Sequence, residues 1–286
     1  MPHKFLIVDG YDRAARDRLA AAGCTDAGTL YARMLQRYQP DARFEIVYPA
    51  DADAFMAPGV AVRDFDSLLW TGSSLNIYDG TPSVLRQIEL ARTAFAAQVP
   101  SFGSCWAIHI AATAAGGECR LNPRGREFGI SRKITLTQAG RSHALFRDKA
   151  SSFDAFTSHF DEVFRLPPDS QVLAGNAATD IQAACIRFNA TDFWAVQYHP
   201  EYDLREVAAL TRFRGEGLLS EGRFADESDM QEYIRQLELL HEHDAGHAHH
   251  KRLAWRLGIE NDLLDPDTRC VELRNWLQHL RDTAGT

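Results

Sequence analysis

A chain of 286 residues, 45% hydrophobic and 24% charged, has a globular composition and enough length for a sizeable core, which excludes wholesale disorder and collagen-like or low-complexity architectures. Its 31 Lys and Arg against 39 Asp and Glu leave a net charge of −8, which argues against nucleic acid or an anionic membrane as the main partner. The acidity is concentrated in residues 213–286, where nine Lys and Arg face fifteen Asp and Glu, a net of −6. Cys24, Cys105, Cys119, Cys185 and Cys270 are odd in number and scattered, so neither a disulfide framework nor a zinc ribbon is expected, and a reducing compartment fits. The apolar stretch near the N-terminus is too short for a signal peptide, and no later apolar run is long enough to span a bilayer. A soluble, cytoplasmic protein is expected.

Phe5–Val8, closed by Asp9-Gly10, reads as a buried parallel strand followed by a loop. Further strands are expected at Phe44–Tyr48, Ser67–Thr71, Pro100–Gly103, Ile130–Thr137, Ser152–Thr157, Val172–Ala174, Ala183–Phe188 and Trp194–Tyr198. Between the first of these, Gly28–Gln39, Pro82–Gln98 and Cys105–Ala115 have helical periodicity, the second opening with Pro82 after Thr81. Strand–helix alternation in the first half implies a parallel sheet covered on both faces. The close spacing of strands from 130 to 198 implies that the sheet continues mixed or antiparallel. Past residue 212 the strand signal ends. Ser228 and Gln231 form an S-x-x-Q capping box ahead of Met230, Tyr233, Ile234, Leu237 and Leu240 on one helical face. Leu253–Leu257 before Gly258 is a short helix, and Asp265-Pro266 opens another with Leu273, Trp276, Leu277 and Leu280 in phase. These stripes must be covered by the main domain or by a partner, a second copy of the chain included.

The chemistry is concentrated in two segments. In Pro100-Ser-Phe-Gly-Ser-Cys-Trp-Ala-Ile-His109 a strand runs through Gly103 into Cys105 and then into an Ala-rich helix, the arrangement of a nucleophile elbow. The helix N-terminus favours the thiolate, although a buried structural cysteine would read the same way in isolation. In Phe193-Trp-Ala-Val-Gln-Tyr-His-Pro-Glu201 a strand ends at His199, with Glu201 two residues on. A thiol nucleophile needs a base and a leaving amine needs an acid, and imidazole serves as both near neutrality. A carboxylate on its far nitrogen fixes the tautomer.

These segments resemble the class I (triad) glutamine amidotransferases, especially stand-alone proteins similar to the amidotransferase domain of GMP synthase. The resemblance spans residues 1–212 and includes Phe5–Gly10 as first strand and Trp70-Thr-Gly-Ser-Ser-Leu-Asn-Ile-Tyr-Asp79 as the oxyanion strand-loop. It also includes Gly103–His109, Arg126-Glu-Phe-Gly129, Ser158-His-Phe-Asp-Glu-Val163 and Val196–Glu201. It implies a flavodoxin-like α/β fold, a mostly parallel or mixed sheet with helices on both faces, over residues 1–212, while the charge and helical periodicity of 213–286 read as an acidic helical extension. It implies that Cys105 attacks the γ-carboxamide of glutamine, that backbone N–H groups of Gly72, Ser73 and Trp106 hold the oxyanion, and that His199 protonates ammonia. Water then resolves a γ-glutamyl thioester, with Glu201 orienting His199. It places His109, Phe128, Ser158 and His159 at substrate-binding positions, with no cofactor. No phosphate-binding loop occurs, so a separate acceptor-activating synthetase is the implied partner.

The chain departs from the family at Ser73 and Ser74, which replace Gly-Pro, at Ala107, which replaces Gly, and at His109, which replaces a substrate-binding Gln. His109 motivates a rival reading, a γ-glutamyl peptidase or hydrolase with the same triad. A catalytically silent binding protein on the same fold is the third reading. In His241–His250, His243, His247 and His250 would share a helical face at a metal-compatible spacing. Gly246 weakens that helix, and no metal is assigned. His159 and Asp161 read as supporting residues, Trp255 and Trp276 as packing anchors, and the other four cysteines as structural.

Overall fold

The computed structural model describes residues 3–284 apart from 54, 58 and 243–247. The strands are β1 (Lys4–Val8), β2 (Arg43–Val47), β3 (Ser67–Trp70), β4 (Ser101–Ser104), β5 (Glu118–Leu121), β6 (Glu127–Leu136), β7 (Ser152–His159), β8 (Asp161–Arg165), β9 (Gln171–Gly175), β10 (Ala183–Phe188) and β11 (Thr191–Val196). The helices are α1 (Arg13–Ala21), α2 (Ala27–Tyr38), α3 (Pro82–Ala96), α4 (Trp106–Ala114), α5 (Gln138–Ser142), α6 (Leu204–Phe213) and α7 (Gly215–Ser220), followed by α8 (Glu227–Glu242), α9 (Ala248–Leu257), α10 (Asn261–Leu264), α11 (Pro266–Arg269) and α12 (Val271–Ala284).

Nine strands form one sheet in the order β2-β1-β3-β4-β11-β10-β9-β6-β7, and β5 pairs with β8 apart from it. The pairs from β2 through β11 are parallel. Those from β11 through β7 are antiparallel, so the change of direction falls at β11, the strand that leads to His199. Along β1, Leu6 and Val8 face the core of α3 and α4, while Phe5 and Ile7 face the core of α2 and α12. A strand buried on both faces reads as an unbroken apolar run, which is why β1 is visible in the sequence.

Two features of the first 212 residues have too little local signal to be expected from the sequence. Helix α1, RAARDRLAA, has only Ala15 and Leu19 buried, so its period is faint, and its start is set by Asp12 accepting from the Ala15 N–H at 2.7 Å. The β5–β8 ribbon is largely solvent-facing on β5. Helices α5 and α6 are likewise not among the expected elements, although α6 is amphipathic and capped by Asp203. Helix α8 starts before Ser228: the Asp226 carboxylate caps it, accepting from the Asp229 N–H at 2.9 Å, so the expected Ser228 box is not the cap.

The helices of the tail close on the main sheet. Leu273, Trp276, Leu277 and Leu280 of α12 share a core with Phe102, Phe153 and Trp194, and Met230, Ile234, Leu237 and Leu240 of α8 pack with Val207 and Leu210 of α6. The chain itself therefore covers the stripes that raised the prospect of a homodimer. Trp276 is an anchor as expected, whereas Trp255 is 82% exposed and is not one. No helix among the described residues is long and apolar enough to cross a membrane.

One polar contact ties α12 to the sheet. Glu272 and Lys149 form a fully buried ion pair at 3.0 Å, Tyr198 OH donates to the same carboxylate oxygen at 2.6 Å, and Lys149 Nζ also reaches the Thr268 carbonyl at 3.0 Å. Removing one partner leaves a buried, uncompensated charge, a loss of about 3–5 kcal/mol. Glu272→Ala should therefore lower the unfolding free energy by about 3–5 kcal/mol in urea titrations. Arg235→Ala, which deletes a solvent-exposed pair with Glu232, should leave the urea unfolding midpoint close to that of wild type.

Candidate active site

Strands β4 and β11 run side by side in parallel with Ser104 opposite Val196, so Cys105 and the 197–201 segment leave the sheet together at the carboxyl edge, where ligands of α/β sheets bind. The Cys105 N–H donates to the Val196 carbonyl at 2.8 Å. Cys105 itself sits at φ 52°, ψ −99°, a conformation L-residues avoid, and this turns its side chain out over the start of α4. The turn is tight because Gly103 has no side chain: a Cβ there would stand 2.4 Å from Ala107 Cβ and 2.5 Å from the Trp70 carbonyl oxygen. The methyl group that distinguishes Ala107 from the family's glycine thus packs over Gly103.

His199 is held on every side. Its backbone N–H donates to the Phe156 carbonyl at 2.7 Å, its Nδ1 lies 2.6 Å from Glu201 Oε1, and the Tyr202 ring stacks on it at 3.9 Å, nearly coplanar. Ser104 Oγ donates to the same Glu201 oxygen at 2.9 Å and receives the Tyr31 hydroxyl at 2.7 Å. Burial alone would lower the imidazole pKa, but the Glu201 charge, the nearby Cys105 sulfur and the hydrogen bond to Glu201 raise it to about 10. His199 Nε2 is buried without a hydrogen-bond partner, and Cys105 Sγ makes a long 3.9 Å contact to the Ser158 carbonyl.

Cys105 opens into a cavity of about 390 Å³ that is lined also by Ser73, Trp106, His109, Ser158 and His159. Gly72 is adjacent: a Cβ there would lie 2.9 Å from His199 Cε1 and 3.8 Å from Cys105 Cβ. The Ser73 hydroxyl donates to the Gly10 carbonyl at 2.8 Å and so anchors the loop. Trp106 opens α4, where first-turn N–H groups lack intrahelical partners, so main-chain donors from two directions can meet an oxyanion near Cys105. His109, one turn along α4, bonds Gln197 Oε1 through Nε2 at 2.8 Å. Its burial pushes its pKa down to about 4, against the raising effect of that bond, so the ring is neutral and donates from Nε2.

In the cavity wall, His159 places Nδ1 2.9 Å from the Asp161 carbonyl and Nε2 2.9 Å from Glu127 Oε2. Burial raises the Glu127 carboxyl, but bonds from His159, Ser131 and Asn176 outweigh it and hold the group below the usual carboxylate range. Phe128 is not in the catalytic cavity. It lines a separate one with Arg223, Phe224, Tyr233 and Leu257, because on β6 it points away from its neighbours, and Arg126 reaches the catalytic cavity instead. Asp161, read as a supporting residue, does line the cavity, whereas sequence reasoning passed over Arg126, Tyr78 and Arg214 as lining residues. Arg126 and Tyr78 lie inside quoted motifs, while Arg214 lies beyond the last motif, where no local signal marks it.

His243 and His247 of the histidine-rich stretch lie outside the described residues, and His250 Nε2 contacts the Leu240 carbonyl at 3.1 Å. Among the described residues, no group of three or more His, Cys, Asp or Glu is arranged to hold a metal.

A strand–elbow–helix cysteine beside a histidine–carboxylate pair, on a sheet of this order, is the arrangement of an α/β hydrolase of the amidotransferase kind. The family of class-I glutamine amidotransferases matches residues 47–213, and the chain belongs to it. It is 33% identical over 282 residues to a γ-glutamyl-L-1-hydroxyisopropylamide hydrolase of Pseudomonas sp., covering 97% of this chain and 92% of that protein. Against the GMP synthase of Nitrosomonas eutropha it is 29% identical over 198 residues, 66% of this chain, and spans only 35% of that longer enzyme. A glutamine amidotransferase structure from Methylobacillus flagellatus superposes with a TM-score of 0.65 at 15% identity, covering 97% of this chain and 95% of that one. One from Thermotoga maritima gives 0.64 at 13%, covering 96% and 99%. These structures share the fold.

The neutral, buried His109 has a consequence for acid stability. The unfolded chain binds a proton at this ring near pH 6.5, whereas the folded chain binds it only near pH 4. Stability from this group is thus intact above pH 6.5 and lost as pH falls toward 4, by about 3 kcal/mol. His109→Gln should show that much less acid destabilisation across the window in urea titrations at matched pH.

Proposed function

We propose that the chain is a γ-glutamyl amide hydrolase acting through Cys105, His199 and Glu201. The observation that carries this reading is the meeting of a strained, outward-turned cysteine with a carboxylate-bound histidine at one cavity. The full-length similarity to the Pseudomonas hydrolase, tail included, supports the γ-glutamyl substrate class. The Cys105 thiolate attacks the γ-carbonyl carbon, and main-chain N–H groups about Gly72, Ser73 and Trp106 take the oxyanion charge, a contribution of roughly 3–4 kcal/mol per donor. His199 gives its proton to the departing amine, the C–N bond breaks, and a γ-glutamyl thioester remains. A water deprotonated by His199 then releases glutamate. Glu201 holds the imidazole by Nδ1 and stabilises its cationic form. His109, Ser158 and His159 lie where they bound the γ-glutamyl moiety, and a neutral imidazole at 109 replaces the amide expected for free glutamine.

A second reading is supported by similarity to the glutamine-hydrolysing component of a two-part GMP synthase in Ignicoccus hospitalis, 29% identical over 147 residues. In it, glutamine is the substrate and its ammonia passes to a separate synthetase in the cytoplasm. A kcat/KM panel of glutamine against γ-glutamyl amines separates the two: preference for glutamine, further raised by a synthetase, would displace the first reading.

Two outcomes test the triad. A glutamine-mimicking electrophile should label the wild-type protein by one adduct mass at Cys105, and Cys105→Ala should lose both the label and hydrolysis, which intact-mass spectrometry and product assays read. Since Glu201 raises the His199 pKa toward 10, Glu201→Gln should move the alkaline limb of kcat/KM to lower pH, with kcat reduced about 10²–10⁴-fold. An unmoved limb would remove Glu201 from its assigned role.

A further inference from the structure

The Glu201 carboxylate is held by one of its oxygens. His199 Nδ1 lies 2.6 Å from Oε1 and Ser104 Oγ lies 2.9 Å from the same atom, while Oε2 is buried without a partner. An ionised carboxylate only accepts, so the Ser104 hydroxyl gives its single proton to Glu201. The Ser104 oxygen is then left to accept, and Tyr31 OH donates to it at 2.7 Å. Tyr31, Ser104, Glu201 and His199 are all buried, so bulk water replaces no member of this chain of hydrogen bonds. Neither Ser104 nor Tyr31 lines the catalytic cavity.

The fold explains how a residue next to the nucleophile comes to hold the acid. Along β4, Gly103 lies against Ala107 of α4, so Phe102 and Ser104 face the other way, toward the core that contains Tyr31 of α2. Ser104 ends β4 directly before Cys105, so the elbow that presents the nucleophile also carries the hydroxyl that meets Glu201. The terminal torsion of a glutamate side chain is soft, so the contact to His199 alone leaves the carboxylate plane free to turn. The Ser104 bond supplies the second fixed point. The ionisable groups near this pair come from several elements: Cys105 at the elbow, Tyr202 stacked on the ring, Glu206 of α6, Tyr31 of α2 and Cys270 between α11 and α12. Lys149 and Arg269 act on Cys270, and Arg214 on Tyr11, one group further out. The imidazole is thus the cation in contact with Glu201. Burial lowers the imidazole pKa, and the Glu201 charge is the foremost influence that raises it.

We propose that Ser104 and Tyr31 are positioning residues for the triad, a relay from α2 through the end of β4 that holds the Glu201 carboxylate against His199 without touching substrate. This rests on the hydrolase reading above. The relay acts only through Glu201, which gives it a signature that a packing role lacks: its effect on the reaction vanishes once the Glu201 charge is removed.

The test is a mutant cycle read on the alkaline limb of kcat/KM for a γ-glutamyl amide, with melting temperatures measured alongside. A carboxylate released from Ser104 sits less closely on the imidazole, so its raising effect on His199 weakens. Ser104→Ala should therefore move the limb to lower pH and reduce kcat by about 10- to 100-fold, as for loss of one hydrogen bond to a charged group, with KM little changed. Tyr31→Phe should move it less, in the same direction. Ser104→Ala also strands the Tyr31 hydroxyl, so adding Tyr31→Phe should raise the melting temperature again while the limb stays displaced. In a Glu201→Gln background, Ser104→Ala should add no further shift. A limb that Ser104→Ala leaves unmoved or moves to higher pH would overturn the proposal, as would an equal shift in the Glu201→Gln background. Titration of the His199 imidazole by nitrogen NMR needs no substrate and should show the same order among the variants. That order in a protein that hydrolysed no γ-glutamyl amide would overturn the hydrolase reading and leave the relay standing.

Discussion

The parallel pairing of β4 with β11, Ser104 opposite Val196, is the constraint on which the site depends. It brings two chain segments 94 residues apart to the same level at the sheet edge, so the elbow cysteine and the histidine emerge as neighbours. The Cys105 N–H bond to the Val196 carbonyl carries the pairing one residue beyond the strands. The same boundary is where the sheet changes from parallel to antiparallel. Strand β11 can therefore end at the site while its antiparallel partner β10 fixes its other edge.

Around that pairing, buried polar groups are stabilised by being matched rather than by being excluded. Glu201 accepts from His199 and Ser104, and Ser104 in turn from Tyr31. Glu127 is met by His159, Ser131, Asn176 and Gln182. Such networks fix a single geometry where they are complete and are costly where they are not, and among the described residues Glu201 Oε2, Gln182 Oε1 and Glu272 Oε2 are buried without a partner. The tail belongs to this arrangement: Glu272 holds Tyr198, the residue before His199, and the Cys270 thiol donates to the Pro200 carbonyl at 3.1 Å. The acidic extension thus braces the segment that presents the histidine, and it supplies Glu221 to the cavity cation Arg126.

Much of the fold was legible because its strands are buried on both faces and read as unbroken apolar runs, and because the elbow and the His-Pro-Glu segment have local chemistry of their own. Helix α1 was not, since a helix with two buried side chains has almost no apolar period. The α8 cap was misassigned because several acidic and hydroxyl residues in a row can each cap a helix, and only the backbone decides which does so. Phe128 was grouped with the substrate positions because it sits in a matching motif, yet the pleat of β6 sends it to another cavity. Trp255 carried no sign that its face would be left open.

By itself, the sequence determined the family, most of the sheet and the candidate cysteine and histidine, because these rest on short-range patterns: periodicity, a glycine before a strained turn, a carboxylate two residues past an imidazole. Only the tertiary structure decided that His109 is neutral, which depends on complete burial beside Gln197. It alone decided that the tail folds back on the main sheet and that Arg214, outside every motif, stands in the catalytic cavity. Burial, charge compensation and the direction of a side chain depend on what the rest of the chain brings near, and no local pattern encodes that.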